Sequence, residues 1–222
     1  MKVAILLPGH MRTWEYCRQN FIDNLCDSEH DVDVFVDTYF QQYATYDTPQ
    51  KEQRWSKNNT DDEIKQAMND INVIHYNAFQ DELPSSTEHE RINSQLTKLR
   101  QLSNTLKWFE DNNNQVYDIV IRTRFDITLD NKLNYNDINN QLNENEKLLF
   151  VGTPSMTYGI NDMFCIGRSN LVHKYLNRSQ LFLFNTDDNY TFSESIGISI
   201  VRRDDDKFVP FKGYAWYTGN VL

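Results

Sequence analysis

The chain has 222 residues, of which 39% are hydrophobic and 13% aromatic, enough to bury a core and to suit one α/β domain or one domain with a small appendage. Its net charge of −10 argues against a general nucleic-acid or anionic-membrane binder, because such surfaces need a basic footprint to displace counterions. An anionic ligand would have to be held by a local cluster of positive charge.

The first expected element is the apolar run VAILLP (3–8), a strand that Pro8 and Gly9 end too early for a signal peptide. No apolar stretch approaches the roughly 20 residues that span a bilayer, so a soluble, cytoplasmic protein without a membrane span is expected, and the sequons at Asn58, Asn177 and Asn189 carry no meaning. Cys17, Cys26 and Cys165 form no CxxC pair and read as reduced, mostly buried thiols. A helix over about 11–25 follows, with Trp14, Cys17, Phe21 and Leu25 at helical spacing. DVDVFVDTYF (31–40) and INVIHY (71–76) predict two more strands, with an irregular polar segment between them. Thr87 can cap a helix whose apolar stripe is Ile92, Leu96, Leu99, Leu102, Leu106 and Phe109. The asparagine-rich runs at 112–114 and 139–145 read as solvated turns. VYDIVI (116–121), KLLFVG (147–152) and NDMFCIG (161–167) predict strands, and helices are expected over about 169–177 and 193–203. This alternation predicts an α/β three-layer sandwich with a mainly parallel central sheet, in which ligands sit beyond the carboxyl ends of the strands.

That rule draws several charged residues to one cleft. Arg12 follows the first strand, Asp37 ends the second, and RTRFDITLD (122–130) follows a central one. Guanidiniums can grip a diphosphate bidentately while a neighbouring carboxylate holds a divalent metal. The alternative is a set of Arg–Asp ion pairs at a strand end that needs no ligand. Other phosphate and hydrolase devices are missing: GxxxxGK[ST], GxGxxG after the first strand, HExxH, a Cys/His cluster and GxSxG do not occur, and the five histidines are scattered. FVDT (35–38) suggests a phosphatase aspartate, but the second carboxylate expected two residues on is Tyr39.

Four pieces occur in one order: ILLPGHMRTW, DVDVFVDTY, YDIVIRTRFDI, and YGINDMFCIGRSN followed by FSES. Together they resemble the small GT-A-fold glycosyltransferases of large DNA viruses and microbes, over nearly the whole chain. The resemblance implies a single nucleotide-diphospho-sugar transferase domain, with a donor-binding half at about 1–130 and an acceptor half at about 131–222. It implies transfer of a hexosyl or deoxyhexosyl group from a UDP- or GDP-type sugar to a hydroxyl of a glycan or glycoprotein, in the host cytoplasm or virion if the protein is viral. Donor contacts would come from Pro8, Gly9, His10, Arg12, Thr13, Asp37, Arg122 and Arg124. Asp126 would bind Mn²⁺ or Mg²⁺, with Asp130 a weaker second candidate. Two departures bear on the metal: Arg124 stands where the family carries the first aspartate of its metal motif, and no histidine follows His173. Arg122 and Arg124 would then supply part of the positive charge.

The resemblance also makes Glu194 the general base of a single inverting displacement, and gives Asp162 the task of orienting sugar hydroxyls. Locally, Ser193-Glu194 reads equally as a helix cap and Asn161-Asp162 as turn chemistry. Tyr158 and the aromatic tail at 211–219 are candidate sugar-stacking faces or core. Two other classes stay open: a non-catalytic nucleotide or sugar binder of the same fold, and a phosphohydrolase or nucleotidyltransferase built on Asp37.

Overall fold

The computed structural model describes residues 1–26, 28–45, 53–80, 88–146, 148–151, 164–177, 191–192, 198–204, 207–214 and 219–220. The elements in the first half are β1 (Lys2–Pro8), α1 (Trp14–Leu25), β2 (Asp31–Tyr39), β3 (Gln41–Thr45), β4 (Gln53–Asn58), α2 (Asp61–Ala67), β5 (Val73–Phe79) and α3 (Glu88–Asn113). They are followed by β6 (Ile119–Arg122), β7 (Ile127–Leu129), α4 (Tyr135–Glu144), β8 (Leu149–Val151), β9 (Cys165–Gly167), α5 (Ser169–Leu176), β10 (Thr191–Phe192), β11 (Ile198–Asp204), β12 (Lys207–Tyr214) and β13 (Gly219–Asn220).

Local chemistry accounts for several of these. β1 and β6 are continuous apolar runs because both faces of each are covered, and every residue of β6 is buried. α1 buries the stripe Trp14, Cys17, Phe21 and Leu25. α2 starts on a capping box, in which the Glu63 N–H donates to Thr60 Oγ1 at 3.2 Å and the Thr60 N–H donates to Glu63 Oε2 at 2.7 Å. α4 is capped by Asn134, whose Oδ1 accepts from the Asp137 N–H at 3.2 Å, and it buries Tyr135, Ile138 and Leu142.

The central sheet has the order β5-β2-β1-β6-β9-β8. β5, β2, β1 and β6 run parallel, whereas β9 is antiparallel to both β6 and β8. The sheet is therefore mixed rather than mainly parallel, because β9 runs against both of its neighbours. A second correction concerns the helix expected over 193–203. Residues 198–204 form β11, antiparallel to β12 and β7, as suits the β-branched run Ile198, Ile200 and Val201. β3 pairs with β4 and β10 with β13, each antiparallel.

Right-handed crossovers place α1 and α2 on one face and α3 on the other. Side-chain contacts agree. The Trp14 indole donates to the Ala67 carbonyl at the end of α2 (2.8 Å), while Phe109 of α3 meets Phe35 of β2 edge to face at 5.4 Å. α5 lies beside α3, joined through the Ser169 hydroxyl, which donates to the buried Glu110 carboxylate at 2.7 Å. Helices thus cover both faces of the sheet. No helix among the described residues is long and apolar enough to cross a membrane.

Phe35 is fully buried between Phe109 and Tyr117. Phe35→Ala should lower the unfolding free energy by about 3–5 kcal/mol, read by urea denaturation. A loss under about 1 kcal/mol would mean that this part of the core is not close-packed.

Candidate functional site

β1 connects to β2 on one side, while β6 lies on the other side of β1, so the strand order reverses between β1 and β6. A crevice opens beyond the carboxyl ends of the strands at such a switch point, where α/β sheets place their ligands. Pro8 ends β1, and Gly9 follows at φ +117°, a backbone conformation that side chains other than glycine's rarely adopt. The turn is tied to β2: the Gly9 N–H donates to the Asp37 carbonyl at 2.9 Å, and Thr38 Oγ1 donates to the Gly9 carbonyl at 2.9 Å. The chain then enters α1 through Arg12 and Thr13. Thr13 is fully buried; its carbonyl accepts from the Tyr16 and Cys17 N–H groups, and its hydroxyl accepts from the Cys17 thiol. It therefore shapes the start of α1.

Asp126 is the centre of the charged cluster. Its side chain is only 4% exposed, and both of its oxygens are engaged by guanidiniums. Arg124 Nε donates to Oδ1 at 2.7 Å and Arg124 Nη2 to Oδ2 at 2.5 Å, while Arg12 Nη2 donates to Oδ2 at 3.3 Å. Burial pushes the Asp126 pKa up, but the charges and hydrogen bonds of Arg124 and Arg12 outweigh it and hold the carboxyl below the usual range. The neighbouring Phe125 packs edge to face on Trp14 at 5.4 Å, which fixes this loop against α1. Burial, reinforced by the Asp126 charge and opposed by the Thr13 hydrogen bond, pushes the Cys17 thiol up to about 12, so it stays protonated.

Arg122, Asp37 and His10 fall on the α3 side of the sheet. Leu6 pairs abreast with Phe35 and with Arg122, so these three side chains share one face, and Phe35 faces α3. Arg122 is buried there. Asp37, two residues beyond Phe35, projects from the same face nearer the carboxyl edge. Among the described residues no hydrogen-bond donor reaches its buried Oδ1, and His75 Nε2 lies 3.5 Å away. His10 stacks on Tyr39 with ring centroids 4.3 Å apart, and Lys98 from α3 lies over that ring at 3.6 Å and bonds its hydroxyl.

The end of β1 thus has two groups beside it. Arg12, Arg124 and Asp126 lie by the start of α1; Asp37, His75, His10, Tyr39 and Lys98 lie on the α3 side, with Arg122 on the same face. Sequence reasoning missed His75, Tyr39 and Lys98 as neighbours of this edge. The only signal was the alternation within INVIHY, which becomes informative once β5 is known to pair with β2. Asp130 is exposed in the bend after β7. Glu194, Asp162, Ser193 and Tyr158 lie outside the described residues.

A divalent cation at Asp126 would have to displace the Arg124 fork from a carboxylate that is almost fully buried. Among the described residues no group of three His, Cys, Asp or Glu side chains is placed to hold a metal ion. The described neighbourhood of Asp126 therefore suits guanidinium ligands and does not fit Mn²⁺ or Mg²⁺. The chain matches no protein-family model and no curated protein sequence.

The lowered pKa of Asp126 has a pH signature. The stabilisation it provides is fully present above the unfolded carboxyl pKa of about 3.9 and is lost as pH falls through the lower folded value. Asp126→Asn should lower stability by about 2 kcal/mol at neutral pH. In urea unfolding that deficit should stay constant down to about pH 5 and shrink below about pH 4. A deficit that grows on acidification would contradict the sign.

Proposed function

We propose that the protein is a glycosyltransferase of GT-A type, moving a sugar from a UDP- or GDP-linked donor to a hydroxyl of a glycan or glycoprotein. The observation that carries this reading is the pair of arginines, Arg12 and Arg124, anchored by one buried carboxylate at the β1–β6 switch point. In a chain of net charge −10, this is a local concentration of guanidinium where an α/β sheet takes its ligand. Such groups suit a diphosphate, whose oxygens accept bidentate, charge-assisted hydrogen bonds.

The chemistry follows from that leaving group. An acceptor hydroxyl oxygen attacks the anomeric carbon as the bond from that carbon to the diphosphate oxygen breaks. The nucleoside diphosphate departs with the bonding electrons, and the hydroxyl proton passes to a carboxylate base. Charge builds on the departing diphosphate, which Arg12 and Arg124 stabilise, with Arg122 adding positive charge from the neighbouring face. Glu194 is assigned the base role and Asp162 the orientation of sugar hydroxyls, both on the motif order of the sequence. Asp37 and the Pro8–Gly9–His10 turn, which meet at the ends of β1 and β2, are assigned to the nucleoside side of the donor.

A panel of nucleotide sugars read by thermal shift, followed by assay of free UDP or GDP released from the best donor, tests this directly. One base class should stabilise the protein. Arg12→Ala should weaken nucleotide binding about tenfold or more. Glu194→Gln should cut turnover by about 10²-fold or more while leaving nucleotide affinity within about threefold. No stabilisation by any nucleotide sugar would refute the transferase reading. Turnover that survives Glu194→Gln but is lost in Asp37→Asn would instead assign the site to phosphohydrolase or nucleotidyl-transfer chemistry.

A further inference from the structure

We propose that the site grips the donor diphosphate with guanidinium groups alone, and that Asp126 is a positioning residue for Arg12 and Arg124 instead of a ligand for a divalent metal. The inference rests on the nucleotide-diphosphate reading of the site and adds how the anion is held.

The geometry of Asp126 carries it. A carboxylate offers about four lone-pair directions. Three are taken here, two by the parallel fork of Arg124 and one by Arg12. With 4% of the side chain exposed, there is no open flank on which a hydrated dication could settle at the roughly 2 Å that Mg²⁺ requires. The local charge points the same way. Two guanidiniums already meet this one carboxylate, so its charge is answered before any dication approaches.

The same contacts explain why a carboxylate should sit among residues that bind an anion. Two arginines brought to one turn would repel each other and spread over many rotamers. Asp126 screens that repulsion and fixes both heads, and the fork sets the plane of Arg124. Each arginine keeps part of its side chain in solvent, 26% for Arg12 and 28% for Arg124. A fixed arrangement of the two heads reduces the ordering cost of binding an anion and keeps the positive charge in place as the diphosphate leaves. Arg124, at the position where the resembling family carries an aspartate, is then the group that takes over the work of the metal.

Calorimetric titration of UDP, GDP, inorganic pyrophosphate and phosphate, each with EDTA and again with Mn²⁺, tests the proposal. The wild-type protein should bind the preferred nucleotide equally well in both conditions, within about twofold, and should prefer pyrophosphate to phosphate about tenfold or more. Asp126→Asn keeps both positive charges but releases them, so it should lose most of the preference for pyrophosphate while still binding anions. A purely structural role for Asp126 would leave that preference intact in whatever fraction of the protein is folded. If Asp126→Asn does not fold, Arg124→Lys keeps the charge without the fork and should lose the same preference. Binding that appears only with Mn²⁺ would overturn the proposal and leave the transferase reading standing. Failure of all four ligands in both conditions would overturn both.

Discussion

The tie from Asp126 to Arg124 and Arg12 joins two stretches that are far apart in sequence, the turn leaving β1 and the loop leaving β6. A buried carboxylate is costly unless its charge is met and its lone pairs are bonded, and here both conditions are satisfied by arginines whose outer parts stay wet. The tie is held from beneath by Phe125 on Trp14, and Trp14 is anchored in turn to the end of α2 through its indole N–H. Charge above and aromatic packing below thus set one loop against one helix.

Sheet order explains why these stretches meet. β1 and β6 are adjacent and parallel although more than a hundred residues separate them, and their connections leave toward opposite edges of the sheet. On the α3 side, the row Phe35, Leu6 and Arg122 shows how one register places a core aromatic and a buried cation on the same face. The local positive charge matters more for being set in an acidic chain. Over the roughly 8 Å Debye length of physiological salt, an approaching anion responds to the nearby guanidiniums more than to the distant carboxylates.

Much of the fold was legible where burial alone decides the pattern. VAILLP, DVDVFVDTY and DIVI are apolar or β-branched runs that have no good alternative to a covered strand, and Trp14, Cys17, Phe21 and Leu25 mark α1 by spacing. α4 was hidden because its asparagines read as loop, although Tyr135, Ile138 and Leu142 recur at helical spacing beneath them. α2 is short, and its signal was the capping pair Thr60 and Glu63 rather than an apolar stripe. The serine and glutamate that precede β11 read as a helix start, and the pairing with β7 and β12 that decides otherwise is non-local. Asp126 shows the limit most clearly. RTRFD is compatible with a metal carboxylate and with an ion pair, and the part of the ion pair that comes from Arg12, remote in sequence, is visible only in the folded chain.

Hydrogen exchange of the full chain with and without saturating UDP or GDP tests most directly whether the β1–β6 switch point is where the ligand binds. Slowed exchange should be concentrated in residues 9–13 and 122–126, the two stretches joined by Asp126. Protection confined to the amino-terminal edge of the sheet, around residues 28–33 and 70–72, with no change at 9–13 or 122–126, would contradict it.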